Sequence, residues 1–305
     1  MTQPRILVLL SSYNGEKYIA EQLDSILSQK SVNVKILCRD DGSKDKTCEI
    51  IQDYISRYPS QIRLIEGKNL GFALSFTELL KCGYNDYPDI EYFAFADQDD
   101  VWLPDKLSRG IGYVSKYDTN IPIAYCSNTD LVDSNLNFLR KGRIKPISLS
   151  KSKALIQNVA TGCTMVMNRT AVGTYVAHAF PEIKVHDFHM FQICSFLGKV
   201  IYDPESRILY RQHTDNQIGA PGFAGRMKKR LKGNFAKGIL QRQAKLFLNA
   251  FKTELSEKDI ELISNFIAYN KSLKNKLKLL VNPQIKYGHW ESDFFLMLKI
   301  LNGTL

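Results

Sequence analysis

The chain has 305 residues, of which 44% are hydrophobic, so it can bury a full core and extensive disorder is excluded. No apolar run approaches the ~18 residues that a membrane-spanning helix needs. The formal net charge of +10 indicates that anionic partners are favoured. The 6 cysteines are scattered without a Cys-x-x-Cys pair, and the first apolar stretch is strand-sized rather than a signal sequence. We therefore expect reduced thiols and a cytoplasmic location.

Strand-like and helix-like stretches alternate from residue 5 to residue 126. Apolar runs of strand length are followed by polar loops and then by segments with helical periodicity. Strands are predicted at residues 5–10, 34–38, 62–65, 91–96 and 121–126. Helices are predicted at residues 16–29, 47–58, 72–82 and 105–116. This alternation predicts a mostly parallel central sheet with helices on both faces.

The rest of the chain changes character twice. Residues 128–150 are polar and turn-rich, which predicts a hairpin or a lid near the acceptor. Further α/β elements follow, with helices predicted at residues 153–157, 169–179 and 188–197 and strands at 163–168, 200–202 and 207–210. From residue 222 onward the pattern is almost entirely helical and basic, and residues 219–222 are rich in glycine and proline. We therefore expect an α/β domain at residues 1–220 and a helical, basic C-terminal region at residues 221–305.

Three carboxylates follow the buried strand predicted at residues 91–96, in the sequence Asp97-Gln98-Asp99-Asp100. In open α/β sheets, ligands bind at the carboxyl ends of the strands. Like charges this close raise each other's pKa unless a cation neutralises them, and hard oxygen ligands suit magnesium or manganese. A metal ion that holds a diphosphate would explain the cluster, although the motif is a weak signal until other motifs accompany it. A solvated turn with an acidic helix cap is the alternative. Asp40-Asp41, which follows the second strand, can also be interpreted as a turn with a helix cap.

Several polar motifs occur in one order along the chain. They are Ser11-Ser12-Tyr13-Asn14, Asp40-Asp41-Gly42-Ser43, Asn69-Leu70-Gly71, Asp97-Gln98-Asp99-Asp100, His186-Asp187-Phe188 and Tyr210-Arg211-Gln212-His213 with Asn216. Over roughly residues 4–219, this set resembles glycosyltransferase family 2, whose members move a sugar from a nucleotide diphosphate sugar. The resemblance implies a GT-A (Rossmann-like) α/β fold with a mostly parallel central sheet flanked by helices, followed here by a helical, basic extension. The Asp-Gln-Asp-Asp-Val-Trp and Tyr-Arg-Gln-His variants resemble its rhamnosyltransferase-like branch, which suggests a deoxysugar donor.

The resemblance also implies a site for the nucleotide. Ser11 and Tyr13 would line the base pocket, and Asp41 would accept a hydrogen bond from the edge of uracil or thymine, with Asp40 as an assistant. A turn followed by a helix cap is the alternative for both aspartates. Arg211 is expected to bind phosphate, and a surface ion pair is its alternative role.

A second implied site holds Mn²⁺ or Mg²⁺. Asp99 is expected at the metal, and Asp97 at the ribose, at a metal-bound water or at the metal itself. Asp100 would orient either neighbour or cap the next helix. His213 is a candidate metal ligand, with a purely structural histidine as the alternative. The cation would stabilise the charge that develops on the leaving diphosphate.

The catalytic base implied by the resemblance is Asp187, which would take the proton of the acceptor hydroxyl in an inverting displacement. Without the resemblance, a carboxylate at this position would be an ordinary helix cap. His186 stands where the common family pattern has Glu. The pocket for the donor sugar or the acceptor is expected to include Gly162, Cys163, Asp100 and Trp102. A plain turn at the entry to the next strand is the alternative for the loop that contains Gly162 and Cys163.

Residues 226–252 contain nine lysine and arginine residues and no acidic residue. Apolar residues recur there at about helical spacing, so the segment is interpreted either as a basic helix on an anionic membrane or as a surface helix that packs on the core. Nucleic acid is disfavoured as a partner because aromatic platforms and a recognisable binding motif are missing. Self-association into a homo-oligomer is left open.

The sequence thus predicts an inverting, metal-dependent hexosyltransferase at the inner face of the plasma membrane. Its donor would be a UDP- or dTDP-sugar, with rhamnose or another hexose as the sugar. Its acceptor would be a hydroxyl group of a bacterial surface polysaccharide (cell wall, capsule or O-antigen) or of a lipid-linked glycan. A catalytically inactive subunit that binds sugar nucleotides or serves assembly is the alternative. A dehydrogenase or a nucleotidyltransferase is disfavoured because the loop after the first strand lacks Gly-x-Gly-x-x-Gly.

Overall fold

Strands and helices alternate through the first half of the computed structural model, as the sequence predicts. The structure describes residues 3–143, 147, 149–178, 185–213, 238–288 and 290–305. The strands are β1 (Arg5–Ser12), β2 (Asn33–Asp40), β3 (Ile62–Glu66), β4 (Tyr92–Ala96), β5 (Val101–Trp102), β6 (Ile123–Ser127), β7 (Asp130–Val132), β8 (Phe138–Lys141), β9 (Val166–Asn168), β10 (Lys199–Asp203) and β11 (Ile208–Arg211). The helices are α1 (Ile19–Leu27), α2 (Thr47–Arg57), α3 (Phe72–Asp86), α4 (Lys106–Val114), α5 (Arg169–Ala177), α6 (His186–Leu197), α7 (Ile239–Ala250), α8 (Glu257–Ile267), α9 (Leu273–Leu280) and α10 (Trp290–Asn302).

Within these described residues the strands form two sheets. The central sheet has 7 strands in the order β10-β6-β9-β4-β1-β2-β3, and the second has 4 strands in the order β5-β11-β7-β8. In the central sheet, β1 pairs in parallel with β2 and β4, β2 with β3, and β6 with β10. Only β9 runs antiparallel to its neighbours there, β4 and β6. The predicted α/β fold with a mostly parallel sheet is therefore confirmed.

The middle of the central sheet is buried on both faces. Residues 6–10 of β1 are 0% exposed, which explains why this strand is a continuous apolar run rather than an alternating one. On α1, Ile19, Leu23 and Ile26 are also 0% exposed, and their spacing places them on one face of the helix. Because the interior is apolar, the polar groups of this half of the molecule collect in the loops at the strand ends.

Two predicted elements have different limits in the structure. Helix α1 begins at Ile19 rather than at residue 16, and residues 16–18 form a turn before it. The backbone N–H of Glu16 donates to Asp45 Oδ2 at 3.0 Å and ties this turn to the loop after β2. The strand predicted at residues 163–168 is shortened to β9, since Gly162–Thr164 forms a 3₁₀ turn. In the hairpin predicted within residues 128–150, β7 and β8 pair antiparallel, as expected.

The chain divides into two compact units. The first comprises the described residues within 3–147 and 159–194 together with Gly198–His213. The second comprises residues 149–158, Ser195–Leu197 and the described residues from 238 to 305. The domain boundary that we predict at residue 220 lies outside the described residues and stays a prediction.

The second unit is helical, as the sequence predicts for this part of the chain. The Phe247 ring packs against Phe196 and Phe251, with ring centroids 5.3 and 4.8 Å apart. Ser256 caps α8 by accepting a hydrogen bond from Asp259 N at 3.2 Å. Of the helices that the structure describes, none combines the length and the apolar character that crossing a bilayer requires.

Candidate active site

The register of the central sheet brings the polar ends of three strands to one edge. Ser12 at the end of β1 pairs with Asp40 at the end of β2, and Leu10 pairs with Ala96 at the end of β4. Asp41 and Asp97 are the next residues of their chains beyond these ends. Two of the acidic motifs, which are far apart in sequence, therefore lie at the carboxyl edge of the sheet, where α/β proteins bind ligands.

Asp40 organises the loop that follows β2. Its carboxylate accepts hydrogen bonds from Ser12 Oγ at 3.0 Å, from Gly42 N at 3.1 Å and from Ser43 N at 2.7 Å. These contacts match the turn that we gave as the alternative for this residue. An additional contact of Asp40 with a nucleobase stays a prediction.

The Asp41 carboxylate is 3% exposed and forms an ion pair with Arg39. It also accepts hydrogen bonds from Leu70 N at 2.9 Å and from Gly71 N at 2.8 Å. The Arg39 guanidinium in turn donates to Lys68 O at 3.1 Å. Asp41 thus links the end of β2 to the Asn69-Leu70-Gly71 motif, and its contact with a base stays a prediction. Sequence reasoning missed Arg39, although a basic residue directly before Asp40-Asp41 was a signal for it.

The loop after β1 presents the ring of Tyr13, which is 39% exposed. Gln98 holds this residue from the acidic loop, because its Oε1 accepts from Tyr13 N at 2.7 Å and its Nε2 donates to Tyr13 O at 3.0 Å. Nearby, Ser11 Oγ lies 2.6 Å from Ser75 Oγ. Gln98 was not a predicted site residue, because only its tertiary contacts show that it joins two of the motifs.

The acidic loop after β4 carries a concentration of negative charge. Burial, followed by the charges of Asp99 and Asp187, raises the pKa of Asp97 to about 7. Burial and the charges of Asp99 and Asp97 raise the pKa of Asp100 well above its usual value. Asp100 Oδ1 accepts from Arg211 N at 3.1 Å, whereas Oδ2 has no hydrogen-bond partner among the residues described. A bound cation would relieve the repulsion between these carboxylates, so the loop is suited to bind one.

Asp187 joins this acidic group from the first turn of α6, about ninety residues later in the chain. Its Oδ2 accepts a hydrogen bond from Gly162 N at 2.8 Å, and its charge contributes to the raised pKa of Asp97. A Cβ added at Gly162 would lie 3.1 Å from His186 Nε2 and 3.3 Å from Asp187 Oδ2, so a larger residue would press on both side chains. A contact of Gly162 with the donor sugar or the acceptor stays a prediction. The structure thus brings Asp97, Asp99 and Asp187 into one electrostatic environment.

His186 lies inside an aromatic cluster beside this group. Its ring stacks on Phe76 with centroids 3.9 Å apart and meets the edge of Phe95 at 4.8 Å. Burial lowers the pKa of His186 to about 3, so the imidazole is uncharged at neutral pH. His186 therefore places an uncharged ring where the common family pattern has Glu.

The residues at this edge fit a hard divalent cation. His213 Nε2 lies 2.8 Å from Asp99 Oδ2, which places these two predicted ligands side by side. The carboxylates of Asp97 and Asp99 repel each other, and a metal would remove that repulsion. Cys163 Sγ, an oxygen of Asp97 and an oxygen of Asp100 all lie within 4.8 Å of one another. Burial raises the pKa of this thiol, and a thiol suits Mg²⁺ or Mn²⁺ poorly. Asn216, which completes the sequence motif, lies outside the described residues.

Arg211 is placed differently from the phosphate-binding residue that the sequence led us to expect. Its side chain is 2% exposed, donates to Asp99 O at 2.8 Å and to Ser134 O at 2.5 Å, and forms an ion pair with Glu21. Its guanidinium also lies 4.5 Å from the centroid of the Tyr18 ring. These contacts hold the acidic loop against α1 and the loop after β7, and a direct contact with phosphate stays a prediction.

Replacing Arg211 by Lys should therefore destabilise the protein even without nucleotide. A lysine cannot make the separate contacts of a guanidinium, so we expect the free energy of unfolding to fall by about 2–4 kcal/mol. Urea unfolding of the ligand-free protein measures this change. The exposed Arg57→Lys variant, whose ion pair with Asp53 lies on the surface of α2, is the matched control and should change stability little. Normal stability combined with weaker nucleotide binding would instead support a phosphate-binding role.

Two residues of the expected sugar pocket belong to the hydrophobic core. Trp102 is 2% exposed and Cys163 is 1% exposed, and both pack among the apolar side chains beneath the acidic loop. The Nζ of Lys106 lies 3.5 Å from the centroid of the Trp102 ring, and burial lowers the pKa of this amine to about 7. The indole of Trp102 thus covers a buried lysine, and the place of Trp102 and Cys163 in a sugar pocket stays a prediction. Lys106 itself was missed, since it looks like an ordinary first-turn residue of α4.

Comparison with known proteins agrees with this geometry. The model of the family described as "Glycosyl transferase family 2" matches residues 7–175, more than half of the chain. The Shigella flexneri protein named dTDP-rhamnosyl transferase RfbG is 30% identical over 224 residues, which are 69% of this chain and 74% of RfbG. An uncharacterized glycosyltransferase of a Nostoc species, alr2836, is 27% identical over 220 residues, or 70% of this chain and 66% of the relative.

Solved structures share the fold at low sequence identity. The complex of S. aureus TarS with UDP-GlcNAc has a TM-score of 0.60 and 16% identity, and the match covers 99% of this chain and 82% of TarS. The mannosyltransferase PcManGT from Pyrobaculum calidifontis, in complex with GDP-Man and Mn²⁺, has a TM-score of 0.53 and 14% identity over 100% of this chain and 86% of PcManGT. The chain accordingly belongs to glycosyl transferase family 2, and the protein is a glycosyltransferase with the GT-A fold.

Proposed function

We propose that this glycosyltransferase transfers a sugar with inversion from a UDP- or dTDP-sugar to a hydroxyl group of a surface polysaccharide or a lipid-linked glycan. The observation that carries the proposal is the meeting of Asp187 with the acidic loop. Its Oδ2 accepts from Gly162 N at 2.8 Å, and its charge acts on Asp97. A proton acceptor and a cation-binding loop are the two groups that a direct displacement of a diphosphate requires.

The roles that we assign follow from these positions. Asp187 accepts the proton of the acceptor hydroxyl. At the same time the oxygen of that hydroxyl bonds to the anomeric carbon, and the bond from this carbon to the diphosphate breaks. The N–H of Gly162 keeps the carboxylate oriented. Asp99, Asp97 and His213 would hold Mn²⁺ or Mg²⁺, which supplies positive charge for the leaving diphosphate. Mn²⁺ in the PcManGT structure is in line with this choice.

For the donor, we propose a pyrimidine nucleotide that stacks on Tyr13. Tyr13 is 39% exposed, and its backbone N–H donates to Gln98 Oε1 while its carbonyl accepts from Gln98 Nε2. The similarity to RfbG, named as a dTDP-rhamnosyl transferase, favours rhamnose or a related hexose. UDP-GlcNAc in TarS and GDP-Man in PcManGT accord with a nucleotide-sugar donor of some kind.

We further propose that the enzyme works at the cytoplasmic face of a membrane that carries its acceptor. The basic segment at residues 226–252 is described only from residue 238. In that part, α7 buries Ala244 and Phe247 and exposes Arg242 and Lys245. The described half of the segment thus favours the alternative of a surface helix that packs its apolar face on the protein.

A thermal-shift comparison of nucleotide diphosphate sugars with Mn²⁺ tests the proposed donor. A ligand at about 100 times its Kd stabilises a protein by about 2.7 kcal/mol, so a UDP- or dTDP-sugar should raise the melting temperature by roughly 5–10 °C. The free nucleoside, which lacks the diphosphate, is the control and should have little effect. A larger shift with a GDP-sugar than with both pyrimidine donors would contradict the proposed base.

A further inference from the structure

Helix α10 has an apolar face that the described residues leave exposed. Trp290 is 80% exposed, Phe294 50%, Met297 38% and Leu301 41%. At 100° per residue, these four side chains fall within an arc of about 60°. They therefore form one continuous stripe along the helix rather than scattered apolar residues.

Two other apolar residues of α10 are buried. Leu296 is 3% exposed and Ile300 is 2% exposed, and they lie about 90–130° around the helix from the middle of the stripe. The helix therefore packs inside the helical unit through a side other than the stripe. Contiguous exposed apolar surface on a folded protein commonly marks a contact with a partner or a membrane. The outer stripe of α10 thus needs a partner.

The neighbouring helix α9 extends this surface. Leu273 and Leu277 are 69% and 50% exposed, and Val281, one residue beyond the helix, is 75% exposed. The two helices are neighbours, because Lys276 Nζ donates to Leu301 O at 2.7 Å. The exposed apolar residues of both helices are called the α9–α10 surface, and they are Leu273, Leu277, Val281, Trp290, Phe294, Met297 and Leu301.

Lysines predominate around α9. Residues 271–286 contain five lysines and no acidic residue, whereas α10 carries Glu291 and Asp293 near its start. Lys271, Lys274, Lys278 and Lys286 are exposed, and Lys278 Nζ lies 3.9 Å from Glu261 Oε1. The exposed lysines around α9 would attract an anionic surface. An apolar stripe with lysines beside it and a tryptophan at its end has the composition of segments that lie at a membrane interface.

We infer that the α9–α10 surface binds the surface of an anionic lipid bilayer. The apolar stripe enters the boundary between headgroups and acyl chains, and the lysines contact anionic headgroups. This surface comprises other residues than the basic segment at residues 226–252, in the described part of which Ala244 and Phe247 are buried. The inference goes beyond the proposed transfer reaction and does not depend on it, since vesicle binding requires no nucleotide.

Flotation of the full chain with vesicles tests this inference. Vesicles with about 30% phosphatidylglycerol should bind the protein, and vesicles of pure phosphatidylcholine should bind it much more weakly. The double variant Phe294→Gln, Leu301→Gln should lower the partition coefficient at least about tenfold. The matched control is Phe138→Gln, Leu139→Gln, which removes the same two residue types at positions 60% and 54% exposed on β8 and should leave binding unchanged.

Two further measurements test the same surface. Replacing Lys271 and Lys274 by Gln should reduce binding by about fivefold for each lysine at low salt, and the difference should shrink at high salt. In the unaltered protein, anionic vesicles should shift the emission of Trp290 to shorter wavelength, while Trp102, already 2% exposed, contributes a constant signal. The inference is overturned if the Phe294→Gln, Leu301→Gln variant binds vesicles as well as the Phe138→Gln, Leu139→Gln control does. It is also overturned if the Trp290 emission shifts with protein concentration alone, which would indicate a second copy on this surface.

Discussion

Replacing Asp187 by Asn should lower the rate of sugar transfer by about 10²–10⁴-fold while nucleotide affinity stays nearly unchanged. The amide keeps the volume of the carboxylate, and its oxygen can still accept the hydrogen bond from Gly162 N, which is 2.8 Å from Asp187 Oδ2 in the native protein. The amide cannot accept the proton of the acceptor hydroxyl. Turnover with a matched donor and acceptor measures the rate, and calorimetry with the nucleotide measures the affinity.

The control for this variant is Asp53→Asn, which removes an exposed carboxylate of α2 that pairs with Arg57. It should change neither the rate nor the affinity. If Asp187→Asn retained turnover within about tenfold of the native rate, another group would have to accept the proton. His186 would be a poor replacement, because a base with a pKa of about 3 accepts a proton weakly at neutral pH.

The sheet was predictable from the sequence because it depends on local patterns. Buried strands such as β1 and β4 are apolar runs of the right length, and each ends where polar residues begin. Since parallel strands end at the same edge, the placement of Asp41 and Asp97 at one edge of the sheet followed from these patterns alone. The start of α1 did not follow, because residues 16–18 form a turn whose contacts, such as the hydrogen bond from Glu16 N to Asp45 Oδ2, come from a distant part of the chain.

The less predictable parts of the site depend on partners that are distant in sequence. The contacts of Arg211 come from Glu21, Asp99 and Ser134, and no spacing within the Tyr-Arg-Gln-His motif indicates them. The position of Trp102 depends on which face of a two-residue strand turns inward, and so short a strand has no readable period. The position of Asp187 was available only from the family resemblance, since by itself it is an ordinary acidic residue in the first turn of a helix.

Replacing Asp99 by Asn should remove most of the metal dependence of nucleotide binding. Asp99 Oδ2 lies 2.8 Å from His213 Nε2, so the substitution takes a charged oxygen from the proposed metal site. We expect the nucleotide affinity in the presence of Mn²⁺ to fall at least about 100-fold, and a chelator to produce a similar loss in the native protein. Asp105→Asn is the matched control, because this exposed carboxylate pairs with Arg207. Native affinity in the presence of chelator would refute the metal site.

The same site predicts that stabilisation by a divalent cation grows with pH. Burial and neighbouring carboxylates raise the pKa of Asp97 to about 7 in the folded protein, against 3.8 for the ordinary group. Between these values the folded state holds a proton that the unfolded state has lost, so the stability of the metal-free protein decreases as the pH rises toward 7. A bound cation favours the ionised carboxylate and removes this loss. Added Mg²⁺ should therefore raise the melting temperature more at about pH 7.5 than at about pH 5. Asp97→Asn should reduce this difference, while the raised pKa of Asp100 leaves part of it in place. Equal stabilisation of the native protein at both pH values would contradict a cation at Asp97.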